Sequence, residues 1–421
     1  MWLLDKMLRS LVRSGQLVIT DYDGKVYRYG DGTGEPLGLR FTDKGAAFHI
    51  AKDPRVGAGE AYMDGRLVIE PPHDVRDFVL FVMGQGGEVQ AGNPLRRMVD
   101  RIGSQLDQLN HRSRARRNVE HHYDLTRRFY ELFLDSDRQY SMAYFSDPAN
   151  SLERAQLDKK ALIAAKLCMP ATGGDKLRVL DIGGGWGGFG LYLHRHYGCE
   201  VLGVSLAPDQ VRFANERAEA AGVADKVKFQ LIDYRDVTGQ FDRIASVGML
   251  EHVGARAYRE YFTKTRELLT DDGVMLTHTI GRTGSSGATD KWNRKYIFPG
   301  HYLPAISELA GALEQTNWKI TDVEVLRFHY ALTLAEWYRR ACLHKEEIVA
   351  LYDERFFRMW QFYLAGGEQG FANGGLVNFH VQSTKHANTL PMTRDYIAAE
   401  AARLSALDEA PEWHLETQAA E

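Results

Sequence analysis

The residues Val179-Leu180-Asp181-Ile182-Gly183-Gly184-Gly185-Trp186-Gly187-Gly188 have the types and order that hold a nucleotide-like ligand. An apolar run ends in an acid and then glycines. This is the pattern of a strand turning sharply into a helix N-terminus, with its backbone held close to the bound group. A dinucleotide fingerprint would read G-x-G-x-x-G, with an acid closing the second strand to hold a ribose. Here the spacing is Asp181-x-Gly183-x-Gly185-x-Gly187, and the second strand ends in Ser205 where that acid would stand. Gln210, five residues further on, can supply a polar contact to ribose or adenine. Asp233 and Tyr234, after the third strand, suit the adenine amino group and its face.

The Asp-x-Gly-x-Gly-x-Gly spacing resembles that of S-adenosylmethionine (SAM) methyltransferases, in which the glycines let the backbone approach the amino-acid end of the cofactor without a Cβ in the way. The elements that must position it alternate. Strands are predicted at 178–183, 200–205, 227–232, 242–248 and 273–280, with helices near 186–197, 208–221 and 255–269. That β-α-β order predicts an α/β fold, a doubly wound and mostly parallel sheet whose ligand lies at the carboxyl ends of the strands.

The chain around this motif has 421 residues, 44% hydrophobic and 26% charged, enough for two or three domains with large cores. A net charge of −4 argues against a nucleic-acid binder. Cys168, Cys199 and Cys342 are odd in number and widely spaced, so neither a disulfide framework nor a thiolate metal site is indicated. No apolar run is long enough to span a bilayer, and the start lacks the order of a secretory signal, so a cytoplasmic, peripheral protein is expected.

Residues 1–14 form an amphipathic basic helix, with Trp2, Leu3, Leu4, Met7, Leu8, Leu11 and Val12 at helical spacing and Lys6, Arg9 and Arg13 between them. It suits either docking on its own domain or an anionic bilayer surface. Residues 17–70 read as a small α+β domain opening on a hairpin around Asp23-Gly24, followed by helix over 76–110, broken near 84–92. The expected division is an N-terminal lipid-associated α+β domain at 1–110, a basic linker at 111–117, a catalytic domain at 118–390, and a C-terminal helix with an acidic tail at 391–421. Within the catalytic part, 340–390 reads as helical. Nine arginines against four acids between 94 and 128 make either a solvated linker or a surface drawn to anionic phospholipid headgroups.

Taken in order, further motifs resemble the cyclopropane-fatty-acid synthase family, mycolic acid cyclopropane synthases included. They are Gly59-Glu60-Ala61-Tyr62-Met63-Asp64-Gly65, His122-Tyr123-Asp124, Tyr140-Ser141-x-Ala143-Tyr144-Phe145, Asp233-Tyr234-Arg235-Asp236, Val247-Gly248-Met249-x-Glu251-His252-Val253-Gly254, His278-Thr279-Ile280-Gly281 and Lys295-Tyr296-Ile297-Phe298-Pro299-Gly300. The match covers most of the chain, and the long N-terminal part resembles the phospholipid-acting bacterial members. The resemblance implies methylene transfer from SAM to a cis double bond of an unsaturated acyl chain in membrane phospholipid. The cofactor contacts it implies are Tyr140, Ser141, Gly183, Gly184, Gly185, Trp186, Gly187, Ser205, Gln210, Asp233 and Tyr234.

It also implies a bound bicarbonate as base, held by Glu251, His278, Ile280 and Tyr330, with Met142 beside it. A pairing of Glu251 with His278 would fix the histidine tautomer. A carbocation intermediate calls for a dry aromatic pocket, and Trp292, Tyr296, Phe298, Tyr302, Phe328, Tyr330, Trp337 and Tyr338 supply aromatic rings in that region. Two departures stand out. Met142 replaces the cysteine of many relatives, and Gly367 stands where some carry a cysteine, which argues against covalent cysteine catalysis. No metal is expected, since no paired histidines or cysteines accompany Glu251, His252 and His278. The alternatives are methylation of the alkene without ring closure, a small-molecule N- or O-methyltransferase, and a lipid-binding protein that keeps SAM structurally. A homodimer is compatible with the sequence.

Overall fold

The computed structural model describes residues 1–85, 125–170, 173–285, 287 and 290–409. The linker expected at 111–117, the His122-Tyr123-Asp124 motif, the arginines before Arg127 and the tail from 410 lie outside the described residues.

Two compact units divide the chain. One comprises Met1–Leu106, Ala288–Pro299 and Leu334–Gly375, the other Asp107–Gly287, Gly300–Thr333 and Leu376–Glu421. Two segments that follow the glycine motif in sequence therefore group with the N-terminal residues. Periodicity read along the chain registers no contact of that kind.

In the first unit, strands β1 (Gln16–Thr20), β2 (Val26–Tyr29), β3 (Pro36–Phe41) and β4 (Leu67–Ile69) form a sheet of order β2-β1-β3-β4. The expected hairpin is β1 and β2, antiparallel, turning through Gly24 at φ +84°. Alternation explains the buried face: Leu17 and Ile19 of β1 and Leu37, Leu39 and Phe41 of β3 all point inward. The helix Trp2–Leu11 buries Leu4, while Trp2 and Leu3 remain exposed.

The second unit holds a seven-stranded sheet made of β5 (Arg178–Ile182), β6 (Glu200–Ser205), β7 (Val227–Leu231), β8 (Phe241–Val247), β9 (Leu269–Arg282), β10 (Lys319–Leu326) and β11 (Leu376–Thr384). Its order is β10-β11-β9-β8-β5-β6-β7. The strands from β9 through β7 are mutually parallel, and β11 runs antiparallel to both β9 and β10. Both faces are covered. Val179, Phe189, Leu193 and Val201 join one core, and Leu180, Ile244, Phe262 and Leu309 join another. This double burial is why β5 reads as an unbroken apolar run. β5 pairs with β6 on one side and β8 on the other, so the chain order reverses at β5 and leaves a crevice at its carboxyl end.

One expectation fails here. Residues 376–384, read as helical, form β11. Asn378, His380 and Gln382 are buried in it, and these polar side chains mask the signature of a core strand.

Candidate active site

The crevice at the end of β5 is an open cavity. Gly183, Gly184, Gly185 and Trp186 line it together with Tyr140, Ser141, Ser205, Gln210, Asp233 and Tyr234. Gly183 and Gly185 have φ of +90° and +52°, a backbone that side chains with a Cβ rarely adopt. Gly187 has a different task. It is absent from the lining; it shares the left-handed backbone at φ +86°, and a Cβ there would also fall 2.8 Å from that of Ala214, so both its backbone and the packing of the helix that follows call for glycine. Ser205 and Gln210 sit side by side, their Oγ and Oε1 atoms 3.5 Å apart. Asp233 is gripped by Arg235, whose Nε and Nη2 donate to it at 2.8 and 2.6 Å.

The segment 135–141 is far from the glycines in sequence, and a partly buried charge network delivers it. Asp137 accepts from Lys160 Nζ at 2.8 Å and from Arg217 Nη2 at 2.6 Å. Arg217 also donates to the Trp186 carbonyl, 3.0 Å away. Tyr130 packs edge-on against both Tyr140 and Trp186, with ring centroids 5.5 and 5.7 Å apart. Lys159 donates to Gln139 Oε1 at 2.7 Å and Ser141 Oγ at 2.8 Å. Sequence reasoning missed Lys159, which lines the cavity beside Asp181. Its helix, Leu152–Lys166, buries residues all round, so no polar stripe separates it from the structural residues beside it.

Burial sets the protonation of these groups. It pushes the Asp181 carboxyl up to about 7 against the opposing attraction of Lys159. It pulls the Lys159 ammonium down, partly offset by Asp135. Both follow from the cost of an ion in a poorly solvated site.

The expected anion-holding residues Glu251, His278, Ile280, Tyr330 and Met142 are not on the cavity wall. β8 ends at Val247, and the chain passes through Gly248 (φ +64°) into the single turn Leu250–His252, in which His252 faces the cavity. Glu251 is 1% exposed, and its Oε1 accepts the Ile280 N–H at 2.6 Å. Its Oε2 is buried without a hydrogen-bond partner. Burial raises the Glu251 carboxyl to about 7, with the Ile280 amide acting the other way.

The expected Glu251–His278 pairing is not formed. His278 Nδ1 lies 2.8 Å from His380 Nε2, and Asn378 Nδ2 donates to His278 Nε2 at 3.1 Å. In a strand, alternate residues share a face, and β9 registers His278 opposite His380 of β11. That antiparallel neighbour was not foreseen, so its side chains could not be counted as partners. Burial lowers the His278 pKa to about 3, which keeps the ring neutral.

Met142 is fully buried, and the segment that carries it is tied to the helix His329–Leu343 that carries Tyr330. The Ala143 N–H donates to Thr333 Oγ1 at 3.0 Å and the Phe145 N–H to His329 Nδ1 at 3.1 Å. The aromatic residues expected around the substrate do not line the cavity. Trp292, Tyr296, Phe298, Trp337 and Tyr338 belong to the first compact unit, and Tyr302, Phe328 and Tyr330 to the second.

A doubly wound sheet with one reversed strand, and a glycine-turn cavity at the switch point, define a SAM-dependent methyltransferase of the Rossmann-like class I. Coclaurine N-methyltransferase shares this fold, with a TM-score of 0.63 over 78% of the chain at 17% identity. Residues 110–381 match the mycolic acid cyclopropane synthetase family, and the chain belongs to that family. It is 36% identical to the cyclopropane-fatty-acyl-phospholipid synthase of Escherichia coli K12, over 78% of this chain and 83% of that one. It is 38% identical to a probable fatty acid methyltransferase of Pseudomonas putida, over 62% of this chain and 67% of that one. Among solved structures, the mycolic acid cyclopropane synthase CmaA1 complexed with SAH and CTAB aligns with a TM-score of 0.59 at 29% identity, over 64% of this chain and 97% of that one.

Proposed function

We propose that the protein transfers a methylene from SAM to the cis double bond of an unsaturated acyl chain in membrane phospholipid and closes a cyclopropane ring. The observation that carries this reading is the similarity to the E. coli phospholipid synthase, which extends over 83% of that protein's length. When bound, SAM supplies an electrophilic methyl, and a bicarbonate ion would supply the base that takes a proton from it.

Glu251 fits such an anion. Its Oε2 is buried and unpartnered, and a carboxyl held near pH 7 is protonated often enough to donate a hydrogen bond to a negative charge. His278, kept neutral and oriented by His380 and Asn378, adds no competing charge. Ile280 positions Glu251 through its amide, while Tyr330 and Met142 complete the proposed set. In the cavity, the glycine turn, Tyr140, Ser141, Ser205, Gln210, Asp233 and Tyr234 would hold the cofactor. An unactivated alkene is a weak nucleophile, so alignment and exclusion of water carry most of the acceleration.

Membrane contact, we propose, begins at the helix Trp2–Leu11. Trp2 is 77% exposed beside Lys6 and Arg9, an arrangement suited to the interface of an anionic bilayer. No helix among the described residues is long and apolar enough to cross a membrane.

A second reading, methylation without ring closure, draws support from Met142, which replaces the cysteine of many relatives, and from the P. putida relative. The test incubates the full chain with methyl-deuterated SAM and vesicles of cis-monounsaturated phospholipid, then examines the acyl chains by mass spectrometry before and after ozonolysis. The expected result is a gain of one labelled CH₂ and loss of the ozone-sensitive bond. A gain with that bond retained selects the second reading. Transfer to soluble amines with none to acyl chains overturns both.

A further inference from the structure

Two charged side chains on the cavity wall have bonding capacity that the protein leaves open. Lys159 is 1% exposed, and its ammonium makes two hydrogen bonds, to Gln139 and Ser141, leaving a third N–H. Asp181 is 2% exposed, and its Oδ2 is buried without a hydrogen-bond partner. Each is desolvated, and a protein does not ordinarily leave such groups unsatisfied unless something else completes them.

The nearby carboxylates do not complete Lys159. Asp137 is held by Lys160 and Arg217, and Asp135 by the amides of Asp137 and Gln139. The other cations on the wall are engaged. Arg235 grips Asp233, and Arg138 donates to Glu131 at 2.8 Å with its guanidinium over the Phe213 ring. What fits a buried cation and a buried anion together is a zwitterion, which satisfies both and adds no net charge to the site.

We propose that Lys159 receives the carboxylate of the methionine moiety of SAM, beside the α-ammonium that the acid of the glycine motif, Asp181, is suited to hold. Lys159 is thus a cofactor-binding residue, placed by Gln139 and Ser141 and not by the glycine motif. The assignment rests on SAM binding alone, so it stands or falls separately from the acyl-chain reading. It also gives Asp181 a purpose that the strand does not need, since an apolar residue would serve packing better at this buried position.

The test measures binding by calorimetry with three probes: SAM, decarboxylated SAM, which keeps the ammonium but lacks the carboxylate, and methylthioadenosine, which lacks the whole amino-acid end. Wild type should bind SAM about 10- to 100-fold more tightly than decarboxylated SAM, the range for a charge-assisted hydrogen bond. Lys159→Met should bring SAM to the level of decarboxylated SAM and leave methylthioadenosine within about twofold of wild type. Asp181→Asn should weaken SAM and decarboxylated SAM alike, again sparing methylthioadenosine. A uniform loss across all three probes in Lys159→Met would mean a structural role and overturn the proposal. So would equal wild-type affinity for SAM and decarboxylated SAM, a result that needs no variant to fold.

Discussion

At the carboxyl ends of β5 and β6 the backbone turns through Gly183 and Gly185 and leaves an open cavity, whereas around β8, β9 and β11 Glu251 and His278 are enclosed, and they and the half-buried Ile280 are bonded to their neighbours. The first region is shaped mainly by what side chains leave out, and it can lose a contact and still hold a ligand less tightly. The second is made of titratable groups whose protonation is set by burial, with Glu251 near 7 and His278 near 3. Affinity should therefore be distributed over the first region. Turnover should hinge on single atoms of the second.

The largest expected effect tests that division directly. Glu251→Gln should lower turnover by about 10³-fold or more, the scale at which groups assisting proton transfer act, while SAM affinity changes by less than about threefold. A parallel loss of SAM affinity in calorimetry would merge the two regions into one.

The same substitution should stabilise the fold. Burial raises the Glu251 pKa from 4.5 to about 7, so the folded state binds the proton more tightly than the unfolded one. The stability gained from that proton is fully present below pH 4.5 and is lost as pH rises through 7. At about 1.4 kcal/mol per pH unit, Glu251→Gln should be more stable than wild type by up to about 3 kcal/mol above pH 7, with the difference closing toward pH 4.5. Urea melts at several pH values measure this. A pH-independent difference would place the carboxyl in a solvated environment.

Next comes the cavity. Gly183→Val puts a branched side chain at φ +90°, with its Cβ about 3.3 Å from that of Met249. Backbone strain of 1–3 kcal/mol should weaken SAM by up to about 100-fold. Turnover at saturating SAM should fall much less, which a split between KM and kcat will show.

The smallest effect belongs to the histidine pair. His380→Phe removes one neutral hydrogen bond from His278, and about a tenfold loss in kcat is expected with SAM affinity unchanged. A full loss of turnover would mean that His380 does more than orient its neighbour.

The parts of the site that lie along one stretch of chain were legible in the sequence. Asp181 to Gly188 could be read because a strand, a tight turn and a helix start impose their demands on consecutive residues. The strands from β5 to β9 followed from local patterning for the same reason, and five of the seven strands of the sheet were placed by it. β11 was not, because the polar side chains of Asn378, His380 and Gln382 are paid for by partners on other elements.

What tertiary structure alone decided is which distant residues meet. His278 finds His380 and not Glu251, since the register of β9 against β11 is fixed by antiparallel pairing and no local rule predicts it. Glu251 takes the Ile280 amide because a single turn after β8 directs it away from the cavity that its neighbour His252 faces. Lys159 is placed on the cavity wall by Gln139 and Ser141, on a segment that Asp137 anchors to Lys160 and Arg217. Local sequence dictates backbone conformation, whereas the partners of a buried charge depend on how whole elements pack, and that packing is a property of the entire chain.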